Sequence, residues 1–294
     1  MKFPYIRSLL FIGLLVIVSC DSLGQRTNPS DPNGNAYVAT SSLSSGSSSS
    51  TGTTSSSVES SMAGSSSNQS SVLQSSSSSM GISYGSVLDI RDSQSYKTIT
   101  IGNQTWMAQN LNFGVMVVDS VNQSNLSPQK YCYGDSTGNC AIYGGLYQWA
   151  EAMGLPNTCN NTSCSDSIKT IHRGLCLAGW HIPSATDWDT LTNRLGGVSS
   201  AGSNMKDAAS RFINWNTNAS TSGNPSGFSA LPAGLRFESG GFGDLGGSAL
   251  FWEATENSAT EGRDRNLELS SPKLFTSSDL KTTGFSLRCV MDPH

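Results

Sequence analysis

The sequence has no apolar run long enough to cross a membrane as an ordinary helix. The longest, Leu9 to Val18, is about half of the ~20 residues such a helix needs. Charge is scarce too. Only 13% of residues are Asp, Glu, Lys or Arg, and 21 acids against 17 bases give a net charge of −4. That balance argues against nucleic acid as a partner and against a polybasic membrane patch. Familiar catalytic signatures are missing. A G-x-S-x-G string occurs once, at Gly81–Gly85, but it lies ahead of the folded part and not between a strand and a helix as a nucleophile elbow requires; there is no H-E-x-x-H helix and no P-loop, and no D-x-D-x-D-G calcium loop. The three histidines, His172, His181 and His294, are scattered. The sequence therefore assigns no catalytic residue, metal ligand or cofactor, and the chain is read as a non-enzyme.

A leader is present. Lys2 and Arg7 precede the apolar run, and Ile17-Val18-Ser19-Cys20 closes it. This is the layout of an export signal over residues 1–19. The closing cysteine makes it resemble a bacterial lipobox, which implies cleavage before Cys20 and a diacylglyceryl anchor on its sulfur. The alternative is a plain secretion signal followed by an incidental cysteine. On the first reading the protein is an exported lipoprotein of the cell envelope, at the outer membrane or cell surface, held to the membrane through Cys20. Asp21 resembles an inner-membrane retention signal of some bacteria, so the leaflet stays open. Loss of residues 1–19 removes two bases and no acid, so −4 becomes −6.

Residues 20–85 read as a linker. More than half of residues 41–80 are serine, and such a segment buries too little apolar surface to offset chain entropy. It is expected to act as a stalk.

The folded part is read as residues 86–294. Tyr96-Lys97-Thr98-Ile99-Thr100-Ile101 alternates with period two, and Thr105-Trp106-Met107 follows Gly102-Asn103. This predicts a hairpin with a type II′ turn. Leu146, Trp149, Ala150 and Met153 fall on one helical face that Gly154 and Pro156 end. The stretch Gly174–Leu191, GLCLAGWHIPSATDWDTL, organises the rest. Ser184 is the expected N-cap of a helix, with Asp187 three residues on as its partner. Trp188, Leu191 and Leu195 make its apolar face, and Gly196-Gly197 its stop. Met205, Ala208, Ala209 and Phe212 suggest a weaker third helix. Short strands are then expected at Phe228–Leu231, Leu235–Phe237, Ala249–Thr255, Asn266–Leu269 and Phe285–Val290.

Six cysteines lie beyond Cys20: Cys132, Cys140, Cys159, Cys164, Cys176 and Cys289. An even number in an exported chain reads as a disulfide framework. Fifteen pairings are possible. Cys132 with Cys140 and Cys159 with Cys164 would close short loops, and we pair Cys176 with Cys289. On the chain-entropy model the long bridge removes about 4.7 kcal/mol of denatured-state freedom, against roughly 2.5 for each short one.

In order, the chain reads TIGNQTWMAQNL, a cysteine loop, YGGLYQWAEAM, GLCLAGWHIPSATDWDTL, GFSALPAGLR, FWEATE and GFSLRCV. These motifs resemble the Fibrobacter succinogenes major paralogous domain, from about Asp89 to Asp292. The resemblance implies an exported module and leaves its biochemical role open. A more distant resemblance, carried by Ile182–Trp188 and Gly284–Cys289, is to the C-type lectin-like and formylglycine-generating-enzyme superfamily. It implies an α+β fold of small twisted antiparallel sheets with two or three helices and long loops, stapled by disulfides, its chain ends close together. The oxidases of that superfamily use a cysteine pair to bind copper; here the late cysteine, Cys289, is single. The Glu-Pro-Asn, Gln-Pro-Asp and Trp-Asn-Asp motifs of calcium-dependent lectins do not occur.

The stretch from Gly234 to Glu261 mixes aromatic and charged residues among glycines. Its candidate ligand-binding residues are Arg236, Phe242, Trp252 and Glu256, since aromatic faces with nearby polar groups suit sugar rings, and loops are where recognition sits. The alternative is that Phe251 and Trp252 are core. Glu253 and Glu256 read as strand-edge polar groups rather than paired acids. Asp187 and Asp189 read as capping groups, and His181 as a hydrogen-bonded structural residue. The expected function is a surface-anchored, non-enzymatic binding or adhesion module for plant cell-wall or surface polysaccharide. The alternatives are a structural envelope protein that binds another surface protein, and an enzyme of formylglycine-generating-enzyme-like fold.

Overall fold

The alternation at Tyr96–Ile101 makes a strand. In the computed structural model, which describes residues 81–124, 126–207, 215 and 223–293, β1 (Gly85–Asp89), β2 (Gln94–Ile101) and β3 (Gln104–Met107) form an antiparallel meander. Of the two residues between β2 and β3, only Gly102 takes a positive φ, +66°, as a type II′ turn requires. The leader, Cys20 and the serine-rich segment to residue 80 lie outside the described residues.

β4 (Val115–Met116) and β5 (Gln129–Lys130) form a short parallel pair. Then come α1 (Thr137–Tyr143), β6 (Leu146–Tyr147), α2 (Trp149–Met153), β7 (Trp180–His181), α3 (Ala185–Arg194) and α4 (Val198–Met205). The rest is strand: β8 (Ala233–Arg236), β9 (Phe242–Leu245), β10 (Ser248–Glu256), β11 (Glu261–Glu268), β12 (Phe275–Leu280), β13 (Phe285–Ser286) and β14 (Val290–Met291). One sheet has the order β1-β2-β3-β14-β7, so the opening and closing strands of the described region share it. The other runs β12-β11-β10-β13-β6, with β8 and β9 attached beside β10. The architecture is α+β, mostly sheet.

Several expectations need correction. The larger sheet is mixed, since β10 runs parallel to β13 and to β8, while the five-stranded sheet is antiparallel throughout. Four α-helices are described, one of them, α1, starting inside the Cys132–Cys140 loop and running on past Cys140. Leu146 is in β6, paired with Ser286, so helix α2 starts later than its periodicity suggests. Met205 ends α4; Ala208, Ala209 and Phe212 lie outside the described residues. Phe228–Leu231 makes only an isolated bridge, at Ala230. The polar segment Phe275–Leu280 forms the unforeseen β12, held by six register pairs to β11.

The capping box at α3 is complete. Ser184 Oγ accepts from Asp187 N at 3.3 Å, and Asp187 Oδ2 accepts from Ser184 N at 2.9 Å. Gly196 and Gly197 follow with φ of +94° and +80°.

Strand β10 divides the core. Leu250, Trp252 and Ala254 join a cluster with Trp149, Trp180 and Phe285 on one side. Ala249 and Phe251 join Trp106, Trp188, Trp215 and Phe228 on the other. A strand covered on both faces reads as a continuous apolar run, which is why its alternation is faint. All three expected disulfides form: Cys132–Cys140, Cys159–Cys164 and Cys176–Cys289.

Candidate functional site

The four residues singled out as ligand-binding do not make one surface. Trp252 is wholly buried, and its Nε1 donates to Tyr147 O at 2.7 Å while its ring packs on Phe285. Arg236 is buried too. It donates to the carbonyls of Asp119, Glu238 and Thr282 and stacks over Tyr131. It fastens the Asp119 loop to β8. Glu256 accepts from Ser163 Oγ at 2.6 Å, from Cys164 N at 3.0 Å and from Lys281 Nζ. Burial opposes its charge, but these donors outweigh it and lower its pKa. Phe242 is half-buried against Tyr133. A charged residue in a glycine-rich segment reads as exposed; here distant loops fold over it and supply partners.

Glu253 is likewise no strand-edge group. It is fully buried, and its Oε2 accepts from Arg265 Nε at 2.9 Å. Arg265 also reaches Asp189 at 3.1 Å, which ties β11 to α3.

His181 sits between two carboxylates. Its Nδ1 is 2.8 Å from Asp292 Oδ1 and its Nε2 is 3.2 Å from Asp187 Oδ2. Both ring nitrogens are engaged, and the residue is 3% exposed. Burial works against the charged ring, but the two aspartates outweigh it and raise its pKa. Among the described residues no group of three or more His, Cys, Asp or Glu is placed to hold a metal ion.

A polar recess lies elsewhere. A cleft of about 420 Å³ opens between β2, the segment after β3 and the loop before Ser229. Its size is that of a small-ligand site. Tyr84, Gln94, Lys97, Gln109, Asn112 and Asn224 line it. They are held by one another. Gln109 Oε1 accepts from Lys97 N at 2.7 Å. Asn112 Nδ2 donates to Gln94 Oε1 at 3.3 Å. Asn224 Nδ2 donates to Tyr84 Oη at 2.9 Å and to Ser229 Oγ at 2.8 Å. Asn112 Oδ1 is left without a donor.

Beneath the cleft lies Arg288, 1% exposed. Its Nε and Nη2 both donate to Asn110 Oδ1, at 3.1 and 2.6 Å, and its other bonds go to the carbonyls of Phe228 and Ser229. Its plane stacks over Phe228 and Phe251. Burial pushes it down to about 9. Asn110 in turn donates to Tyr143 O and Ser286 Oγ. One buried amide thus joins the strand exit, α1 and the closing strands under the floor. The run Gln109-Asn110-Leu111-Asn112 was the one local hint of this site; Tyr84 and Asn224 reach it only through the fold.

Chemically, the cleft offers amides and hydroxyls that donate and accept, the rings of Tyr84 and Tyr96, one ammonium group and the carboxylate of Asp207. That set matches a ligand rich in hydroxyls. No curated protein and no solved structure matches the chain. The model described as the Fibrobacter succinogenes major domain matches residues 99–291, a span that runs from β2 through the cleft floor to β14. By that match the chain belongs to the Fibrobacter succinogenes major domain family.

Proposed function

We propose that the protein is a surface-anchored, non-enzymatic binding module, and that the cleft bounded by Tyr84, Lys97, Gln109 and Asn224 takes a neutral, hydroxyl-rich polymer such as a cell-wall polysaccharide. The observation that carries this reading is the composition of the cleft: paired amides, hydroxyls and tyrosine rings. Sugar hydroxyls both donate and accept, and amides do the same. A retaining or inverting glycosidase needs two flanking acids; among the described lining residues only Asp207 is acidic.

Export and anchoring rest on the leader and Cys20. Three disulfides suit an oxidising compartment outside the cytoplasm. Among the described residues no helix is long and apolar enough to cross a membrane. A C-type lectin-like architecture is supported by the placement of β1 and β14 in one sheet and by the bridge from Cys176 to Cys289.

The test is retention of the full-length protein on a panel of insoluble polysaccharides, with Lys97→Ala and Gln109→Ala beside it. Both side chains are exposed at the rim. Retention that falls in the variants at unchanged Tm supports the reading. No retention on any polymer, or retention that ignores both substitutions, removes it.

A second reading is favoured by one observation. Val115, Val118, Val121 and Leu126 are 68%, 48%, 48% and 92% exposed within one short segment. Apolar exposure of this kind suits a protein neighbour. Crosslinking on intact cells would give a protein adduct through this segment if the role is structural.

A further inference from the structure

The polar cleft has an apolar wall, and helix α1 supplies it. Gly144, just after the helix, has a φ of +81°, and a Cβ there would lie 2.6 Å from Asn110 Cβ. Glycine therefore lets the end of α1 come down onto the run Gln109–Asn112. Asn110 Nδ2 donates to Tyr143 O at 2.8 Å, and Gly145 N donates to Leu111 O at 2.8 Å. The Cys132–Cys140 bridge ties the same helix to the loop before it. Ala141 and Ile142 stay exposed on α1 and line the cleft, and half-buried Leu231 lines it too. Leu231 packs on Tyr143 and Ala233, a small apolar cluster apart from the two main ones. Ile142 is 43% exposed. A lone surface aliphatic needs no explanation; this one shares a recess with amides.

On the polar side the acceptors are occupied. Gln94 Oε1 accepts from Asn112 Nδ2, Gln109 Oε1 from Lys97 N, and Asn224 Oδ1 from Ser229 N at 3.0 Å. Asp207 is not free, and its charge favours the buried guanidinium of Arg288. What remains is donor capacity. Gln109 and Lys97 are exposed, and among the described residues neither the Gln109 Nε2 nor the Lys97 Nζ has an acceptor; the ammonium stands 5.5 Å from the centre of the Tyr84 ring. A hydroxyl both gives and takes a hydrogen bond, whereas a carbonyl only takes. The ligand that fits carries a strong acceptor next to a small apolar group.

We propose that the cleft selects the acetamido group, so that its ligand is a polymer of N-acetylated amino sugars. The inference rests on the reading of the cleft as a polysaccharide site. The acetamido carbonyl accepts from Gln109 and Lys97, the methyl group packs on Ile142 and Leu231, and ring hydroxyls meet Ser95 and Tyr84. A plain glucan has a hydroxyl in place of that group. It leaves the two donors without a strong acceptor and Ile142 against water. One small apolar group in an apolar pocket is worth about tenfold or more in selectivity, and a half-open wall keeps the value at the low end. Chitin and the glycan strands of peptidoglycan both carry the acetamido group.

The experiment measures retention of the full-length protein on chitin, on purified peptidoglycan and on cellulose, with short soluble oligomers of N-acetylglucosamine and of glucose as competitors. We expect the acetylated oligomer to release the protein at about one tenth of the concentration that the glucose oligomer needs. Ile142→Ser and Gln109→Ala should each remove most of that ratio. Ile90→Ser, at an aliphatic side chain 86% exposed outside the cleft lining, should keep it. The stronger of chitin and peptidoglycan names the source of the polymer. Equal release by the two oligomers, a ratio that survives Ile142→Ser, or one lost equally in Ile90→Ser overturns the acetamido selectivity while the binding reading stands. No retention on chitin or peptidoglycan overturns it as well, and cellulose and the other polymers then decide the binding reading separately.

Discussion

His181 joins the end of the described chain to the start of α3, with Asp292 2.8 Å from one ring nitrogen and Asp187 3.2 Å from the other. The contact is stronger when the ring is charged. Burial opposes that charge, but the aspartates prevail, so the folded pKa of His181 is raised above 6.5. Its stabilising contribution is complete below about pH 6.5 and fades as pH rises through the raised value. Asp187 is shifted the other way. Burial pushes it up, but bonds from His181 and Ser184 prevail and lower it. Its contribution is present above about pH 4 and fades as pH falls through the lowered value. His181→Gln should therefore cost most between about pH 4 and 6.5 and less at pH 9. Urea unfolding at three pH values checks this; a cost that does not change with pH would mean that the ring acts only by shape.

The bridges differ in what they close. Cys176–Cys289 spans 113 residues at a Cα–Cα distance of 5.9 Å, and Cys159–Cys164 spans five. Loop entropy puts the first at about 5 kcal/mol and the second near 2. The short loop has further ties: Glu256 accepts from Ser163 and Cys164, and Lys281 donates to Cys159 O at 3.0 Å. Paired replacement of Cys176 and Cys289 by serine should leave little folded protein at 37 °C. The same change at Cys159 and Cys164 should lower Tm by only a few degrees. Equal losses in circular dichroism melts would contradict this ranking.

Gly174 opens the organising stretch because nothing larger fits. Its φ is +50°, and a Cβ there would lie 2.3 Å from Ala152 O and 2.4 Å from Ile182 Cδ1. Ala152 O already accepts from Leu175 N at 2.9 Å, the bond that docks α2 beside the Trp180 corner. Gly174→Ala therefore meets backbone and a buried side chain together, and should cost about 3 kcal/mol. Gly179 also has a positive φ, +79°, but open space around its Cβ position. Gly179→Ala should cost about 1 kcal/mol. Chemical denaturation of the two variants separates steric exclusion from backbone strain.

Local chemistry was readable and distant partnership was not. The hairpin at Gly102-Asn103 and the cap at Ser184 are set by residues within a few positions, so periodicity and capping rules reach them. The cysteine pairing was readable because the short loops are local. By contrast, β12 is polar along its length and exists through its ladder to β11. Leu146 and Tyr147 continue the spacing of α2, yet pair with β13 because the chain returns there more than a hundred residues later. Arg236 and Glu256 looked like surface groups because their acceptors and donors, at Asp119, Ser163 and Lys281, are far away in sequence. The cleft was invisible for the same reason: Lys97, Asn112 and Asn224 meet only once the fold is made.

Asn110 separates folding from binding at that cleft. Its Oδ1 takes two bonds from Arg288, and its Nδ2 bonds Tyr143 O at 2.8 Å. Asn110→Leu keeps the approximate volume but leaves a buried guanidinium short of its main acceptor. Removal of one partner from a buried charge costs about 3–5 kcal/mol. We expect a large fall in Tm whether or not a polysaccharide is bound. The rim variants Lys97→Ala and Gln109→Ala touch the cleft and not its floor. They should change stability by less than about 0.5 kcal/mol, as surface substitutions usually do, and lower polymer retention. Melting curves and retention assays on the three variants should thus move in opposite order. If Asn110→Leu melted like the original protein, the guanidinium would have found another acceptor, and the floor would not be the support on which the Lys97 rim depends.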